Sequence, residues 1–330
     1  MKEIDHELIS IIRDQLGHAR QVLVITHQRP DGDAIGSLLA VGLALRTAGK
    51  DVQMVIKDGL PENFRFLEGS ELIITEPVRD YDQVIVVDSA EIERTNTELD
   101  HIIADLNIDH HKTNTYFARV NLVSNAAVAT SEILADYLPE LGYPITKPIA
   151  DALLTGIVTD TIGFRTTNVN SRVLRLVASL MDLGGNLPEV YYKTVVEQTF
   201  ASALYWGAGL AKIKMEDGLV WTTLSLSERR SAGYPSRDDA DLIKVLSAIE
   251  AAIIAVILTE QTEGYVKISW RLCGSAETGL DVSDIAKKFG GGGHKAAAGA
   301  DVKGNLSDVL EKVIAATKAS MSFVNEPVKG

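Results

Sequence analysis

The segment THQRPDGDAIGS, residues 26–37, places His27, Asp31 and Asp33 within seven residues. It follows the apolar run VLVIT and precedes a helical pattern. An imidazole and two carboxylates at this spacing can ligate a divalent cation. Buried without a partner, each would carry a heavy desolvation cost. Pro30 and Gly32 shape a loop that can aim His27 and Asp31 at one ion and Asp33 at a neighbour. The same residue types end three other segments. Asp88 lies in VIVVDSAE, Asp109, His110 and His111 in LNIDHHKTN, and Asp160 in GIVTDTIGFR.

The elements carrying these residues alternate. Short aliphatic runs at 22–26, 51–57, 83–89 and 104–111 suit strands buried on both faces. Helical patterns cover 34–50, 130–142 and 147–160, the last with Pro148 in its first turn. Such alternation predicts an α/β fold with an open, mostly parallel sheet flanked by helices. Ligands bind beyond the carboxyl ends of such strands, so four elements would deliver acids and imidazoles to one rim. Carboxylates gathered there without counter-charge would repel until one took up a proton. Two divalent cations remove the difficulty, because four charges from Asp31, Asp33, Asp88 and Asp160 meet four from the metals. Mixed carboxylate and imidazole ligands suit Mn2+, with Mg2+, Co2+, Fe2+ or Zn2+ as alternatives. A bridging carboxylate would hold the ions ~3.5–4 Å apart, a spacing that serves in-line displacement at phosphorus.

The 330 residues suffice for two domains. A net charge of −13 argues against a sequence-independent duplex binder, though not against an enzyme for small phosphorylated ligands. The lone Cys273 excludes an internal disulfide and is read as incidental. No signal-peptide core and no membrane-length apolar run stand out, so a cytoplasmic protein without membrane association is expected. From about residue 169 the pattern turns helical. Strand patterns at 219–226, 251–260 and 264–272, with helices at 282–289 and 307–321, then predict a smaller C-terminal α+β domain. The expected boundaries are 1–190 for the metal-binding domain, 191–206 for a linking region and 207–330 for a substrate-binding domain, with a cleft between the two domains. Trp270 and Arg271 neighbour each other on a strand and point to opposite faces, which makes Trp270 core if Arg271 meets ligand. Trp206 and Trp221 are read as core. Arg165 is equally a phosphate contact or a solvated loop residue. His6, His18 and His101 are read as surface residues.

In order, HQRPDGDAIGS, VVDS, DHH and GIVTDT resemble the four motifs of the DHH phosphoesterase superfamily, and FGGGGHKAAAGA (289–300) resembles the signature of its DHH-associated C-terminal domain. The resemblance spans nearly the whole chain. It is nearest the group of short-oligoribonucleotide exonucleases and pAp phosphatases, which also includes enzymes for cyclic dinucleotides. It implies that His27, Asp31 and Asp88 bind one metal and that Asp33, Asp88, His110 and Asp160 bind the second, with Asp88 bridging. It implies further that His111 faces the scissile phosphate, with Asp109 orienting a histidine. In the C-terminal domain Arg271 is similar to a family arginine that grips phosphate, although Leu272 stands where the family has a small polar residue. Gly291, Gly292 and Gly293 would let backbone N–H groups approach an anion, with His294 and Lys295 adding donors. The partners implied are short single-stranded RNA or DNA oligonucleotides, pAp, and c-di-AMP or linear diadenylate, and a homodimer is expected by analogy. The leading expectation is a manganese-dependent hydrolase releasing mononucleotides from short oligoribonucleotides, or AMP from pAp. Alternatives are a c-di-AMP or diadenylate phosphodiesterase, a manganese inorganic pyrophosphatase and a non-catalytic nucleotide sensor.

Overall fold

The computed structural model describes residues 6–95, 103–274 and 279–322; His101 lies outside them. The chain divides into two compact units, Met1–Glu197 and Gln198–Gly330.

The first unit begins with α1 (His6–His18), β1 (Gln21–Ile25), α2 (Gly32–Thr47), β2 (Asp51–Val55), β3 (Ile73–Ile74), β4 (Gln83–Val87), β5 (Leu106–Asp109) and β6 (Val120–Val123). Helices α3 (Thr130–Glu140), α4 (Lys147–Asp160), α5 (Ser171–Asp182) and α6 (Leu187–Tyr191) follow, and a π turn at Tyr192–Val196 ends the unit. The strands form one sheet in the order β3-β2-β1-β4-β5-β6, with every pairing parallel. Alternation within the strands splits the core. Val22, Val24, Ile85, Val87, Leu106 and Ile108 meet the residues of α1 to α4 on one face. Leu23, Ile25, Val55, Val84 and Val86 meet Tyr81, Ile92, Ala104, Phe117 and Ala118 on the other. Burial on both faces is why these strands read as continuous aliphatic runs. Strand order reverses direction between β1 and β4, and their carboxyl ends form the switch point where open α/β sheets bind ligands.

Two helices of this unit touch backbone to backbone. A Cβ at Gly36 of α2 would lie 2.3 Å from the carbonyl oxygen of Ala152 in α4. Gly36→Ala is therefore expected to destabilise the unit by about 1–3 kcal/mol, an overpacking cost with a rigid backbone neighbour. Chemical unfolding of the metal-free protein checks this, and an unchanged midpoint would contradict it.

The second unit comprises α7 (Phe200–Leu210), β7 (Lys214–Glu216), β8 (Leu219–Leu224), α8 (Leu226–Ala232), α9 (Leu242–Leu246), β9 (Ile254–Thr262), β10 (Tyr265–Leu272), α10 (Val282–Lys287), β11 (Gly292–His294), β12 (Ala297–Lys303) and α11 (Leu306–Ser322). Its mixed sheet runs β11-β12-β10-β9-β8-β7. The strand expected at 219–226 ends at Leu224 because Ser225 and Glu228 form a capping box that opens α8. Strands β11 and β12 were not expected, since glycine and alanine disfavour strands by propensity. Pairing with β10 holds β12 in place, and β12 in turn holds β11.

Candidate active site

The carboxyl ends of β1, β4 and β5 and the last turn of α4 meet at the switch point. After β1 the chain turns through His27 to Asp31, which caps α2 by accepting from the N–H groups of Asp33 and Ala34 with Oδ1. The cap leaves Oδ2 of Asp31 available. The His27 ring donates from Nδ1 to the Gln28 carbonyl at 2.7 Å, which turns Nε2 toward Asp88. Asp88 follows β4 in the left-handed backbone region (φ 54°) and is 1% exposed. A non-glycine residue held there at a ligand-binding rim marks local strain of a kind that clusters at functional sites.

The oxygens of Asp88 face two ways. Oδ2 lies 3.6 Å from His27 Nε2, and Oδ1 lies 3.7 Å from His110 Nε2. His110 Nε2 is also 3.2 Å from Asp160 Oδ2 and 4.0 Å from Asp33 Oδ2. Ligating atoms of His27, Asp31 and Asp88 lie within 4.8 Å of one another, and so do those of Asp33, His110 and Asp160. A third such group joins Asp88, His110 and His111. All six residues expected to bind metal thus gather in two clusters that meet at Asp88.

The donor set fits divalent cations, and its electrostatics call for them. Asp33 is fully buried, and burial together with the charge of Asp88 pushes its carboxyl well above the usual range. Burial and the charges of Asp33 and Asp88 push Asp160 up to about 10. Burial works against ionised Asp88 too, yet contact with His27, His110 and His111 brings it down to about 2. One carboxylate is thus held ionised while two beside it are driven toward protonation, a conflict that bound cations resolve. The last turn of α4 adds its negative dipole end at Asp160.

His111 is arranged differently. Its Nδ1 hydrogen-bonds Oδ1 of buried Asp109 at 2.7 Å, and Oδ2 of Asp109 accepts from Asn114 Nδ2 at 2.6 Å. The bond to Asp109 raises the imidazole pKa, although burial opposes it. Asp109 is pushed up by burial but brought below its ordinary value by His111 and Asn114. The pair leaves Nε2 of His111 to meet a ligand. Asn114 was missed in the sequence; its position five residues after Asp109, within LNIDHHKTN, was the available signal. Thr130 and Ser131 were missed as well, because TSEILADY reads simply as a helix.

In the second unit, register sets Arg271 opposite Ala297, and Ala297 opposite His294. Residues directly opposite share a sheet face, so Arg271 and His294 flank a small alanine. The next row holds Ser269, Gly299 and Gly292. Trp270 faces the core at 1% exposure, donating from Nε1 to Thr317 at 3.0 Å. Trp221 is likewise buried and Trp206 half-buried, and Cys273 is buried. The glycine run has a structural role beside any anion contact. Gly290 and Gly291 donate their N–H groups to Lys287 and Ala286 at the end of α10, and a Cβ on Gly291 would lie 2.1 Å from the Gly299 carbonyl. Gly293 has φ 145°. Of the three glycines expected to face an anion, Gly291 commits its amide to α10. His294 and Lys295 are exposed.

A parallel sheet whose switch point gathers histidines and aspartates in cation-sized groups belongs to the class of α/β proteins built to hold divalent cations at the strand ends. Residues 21–157 match the model of the DHH family N-terminal domain, and residues 234–322 match the DHHA1 domain. The bifunctional oligoribonuclease and PAP phosphatase NrnA of Thermus thermophilus is 33% identical over 306 residues, covering 91% of this chain and 90% of that protein. The chain belongs to the DHH family of metal-dependent phosphoesterases. The fold is shared with an exopolyphosphatase-related protein of Bacteroides fragilis at a TM-score of 0.88, with 22% identity over 99% of this chain and 100% of that one. RecJ of Thermus thermophilus, solved in complex with Mn2+, matches at a TM-score of 0.52 with 15% identity, over 98% of this chain and 55% of that one. Among the described residues no helix is long and apolar enough to cross a membrane.

Proposed function

We propose that the protein is a manganese-dependent phosphoesterase that cleaves short oligoribonucleotides to mononucleotides and pAp to AMP. The observation that carries this reading is the bifacial placement of Asp88 between the His27–Asp31 group and the Asp33–His110–Asp160 group. The likeness to NrnA supports the substrate class, and the Mn2+ in RecJ supports the metal. His27, Asp31 and Asp88 would hold one ion, and Asp33, Asp88, His110 and Asp160 the other. Two bound divalent ions supply charge neutralisation and Lewis acidity for displacement at phosphorus. Asp109 holds Nδ1 of His111, so Nε2 can donate a proton or hydrogen bond to the departing oxygen. Asn114 keeps Asp109 in place for that task.

Arg271 offers a planar fork to substrate phosphate, and His294 lies on the same sheet face. Loss of a charge-assisted bond worth about 1.5–3 kcal/mol raises KM by roughly tenfold or more. Arg271→Ala is expected to do so for a dinucleotide while Mn2+ binding stays unchanged. Steady-state kinetics with parallel metal titration checks this; an unaltered KM would remove Arg271 from the site.

The direct test is product analysis with Mn2+-loaded protein. A diribonucleotide, pAp, c-di-AMP, linear diadenylate and pyrophosphate are compared. Mononucleotide from the dinucleotide and phosphate from pAp are expected. Turnover of pyrophosphate alone, or of none of these, would overturn the proposal.

A further inference from the structure

We propose that Thr130 is a positioning residue that sets the affinity of the second cation group, Asp33–His110–Asp160, with little effect on the first. The inference rests on the reading of Asp88 as a ligand shared by two ions.

Helix α3 starts without a side-chain cap, since its N-cap residue is Ala129. The open N–H groups of its first turn are used on a distant carboxylate instead. Thr130 donates its N–H to Asp33 Oδ2 at 2.6 Å, and Ser131 donates its own to Asp33 Oδ1 at 3.0 Å. Ser37 adds a third donor to Oδ1 at 3.3 Å. These bonds leave Oδ2 of Asp33 as the oxygen with capacity to spare, and Oδ2 is the oxygen nearest His110. The Thr130 hydroxyl then donates to Asp88 Oδ1 at 2.9 Å, again the oxygen on the His110 side. Oδ2 of Asp88, on the His27 side, takes no bond from Thr130.

One fully buried residue thus grips two of the three carboxylates that face His110, Asp33 by its amide and Asp88 by its hydroxyl. The grip is itself anchored. Buried Glu132 accepts the N–H of Val128 at 2.6 Å, and Arg172 of α5 clasps both Glu132 and Asp136. The start of α3 therefore cannot drift to follow a misplaced carboxylate. Because the hydroxyl touches one oxygen of Asp88 and not the other, its removal acts on one cation group more than on the other.

The test is Mn2+ titration of metal-free protein by calorimetry, with free Mn2+ followed by electron paramagnetic resonance. Thr130→Val keeps the shape and the amide and deletes the hydroxyl. Thr130→Ser restores the donor on a smaller side chain. In the valine variant one of the two binding steps should shift by about tenfold or more while the other stays within about threefold, the scale on which partners of metal ligands act. The serine variant should return to the wild-type isotherm. Two unchanged steps in the valine variant would overturn the proposal. Equal weakening in the valine and serine variants would also overturn it, because packing rather than the hydroxyl would then be responsible. Wild-type protein that binds no Mn2+ would instead overturn the underlying two-ion reading.

Discussion

Asp88→Asn protein is expected to keep its fold, to lose the tight binding of two manganese ions and to hydrolyse its substrate more than about a hundredfold more slowly. The threshold follows from scale, because losing a mere partner of a metal ligand already costs 10–100-fold. Asp88 does more than such a partner, since its two oxygens face the two groups at 3.6 and 3.7 Å. An amide in its place supplies one weak oxygen ligand and turns an N–H2 toward the other group. Asparagine tolerates the left-handed backbone at φ 54°, so the strand end need not rearrange. Circular dichroism, manganese titration and product release on one preparation separate these effects. Activity within tenfold of wild type would show that Asp88 does not serve both groups.

Asp160→Asn should divorce stability from activity. Hydrolysis is expected to collapse, whereas the metal-free protein should melt several degrees higher. The sign follows from the carboxyl raised to about 10 in the folded state. At pH 7 the unfolded chain carries Asp160 ionised, so folding must either take up a proton or bury a charge beside Asp33 and Asp88. Either route costs free energy above the unfolded pKa, and a neutral amide avoids it. The side chain keeps 23% of its exposure, which reduces the gain to an order of a few kcal/mol at most. Asp33→Asn offers no such relief, because both oxygens of Asp33 accept backbone N–H groups and an amide would set donor against donor. Differential scanning fluorimetry in chelator, with and without added Mn2+, reads both variants. An Asp160→Asn protein that melts lower than wild type without metal would contradict the electrostatic account.

Much of this site was legible because its residues stand directly at the ends of aliphatic runs. In a parallel sheet such ends share one rim, so His27, Asp88 and Asp109 could be placed together from pattern alone. Asp160 joined them as the end of a helix rather than of a strand. The partners of these residues were not legible. Thr130 and Ser131 stand 97 and 98 residues from Asp33, and nothing local in TSEILADY distinguishes a helix start aimed at a carboxylate. Gly156 belongs with them. A Cβ there would lie 2.4 Å from Asp33 Oδ1, so the glycine inside GIVTDT keeps space for a carboxylate from another element. The short strands β3 and β6 escaped notice for different reasons. Strand β3, with two residues, offers too little period for any pattern to register, and β6 at the sheet edge buries only Leu122 fully, so it lacks the aliphatic run that marks the equally short β5. The glycine run at 290–293 also answers a structural need that its sequence did not announce, the closing of α10 and close hairpin packing.

Anomalous diffraction from crystals grown with Mn2+ tests the central claim most directly. Two peaks about 3.5–4 Å apart should flank the carboxylate of Asp88, one beside His27 and Asp31 and the other beside Asp33, His110 and Asp160. A rim free of anomalous signal at saturating manganese, or a lone ion that leaves Asp88 untouched, would contradict the account.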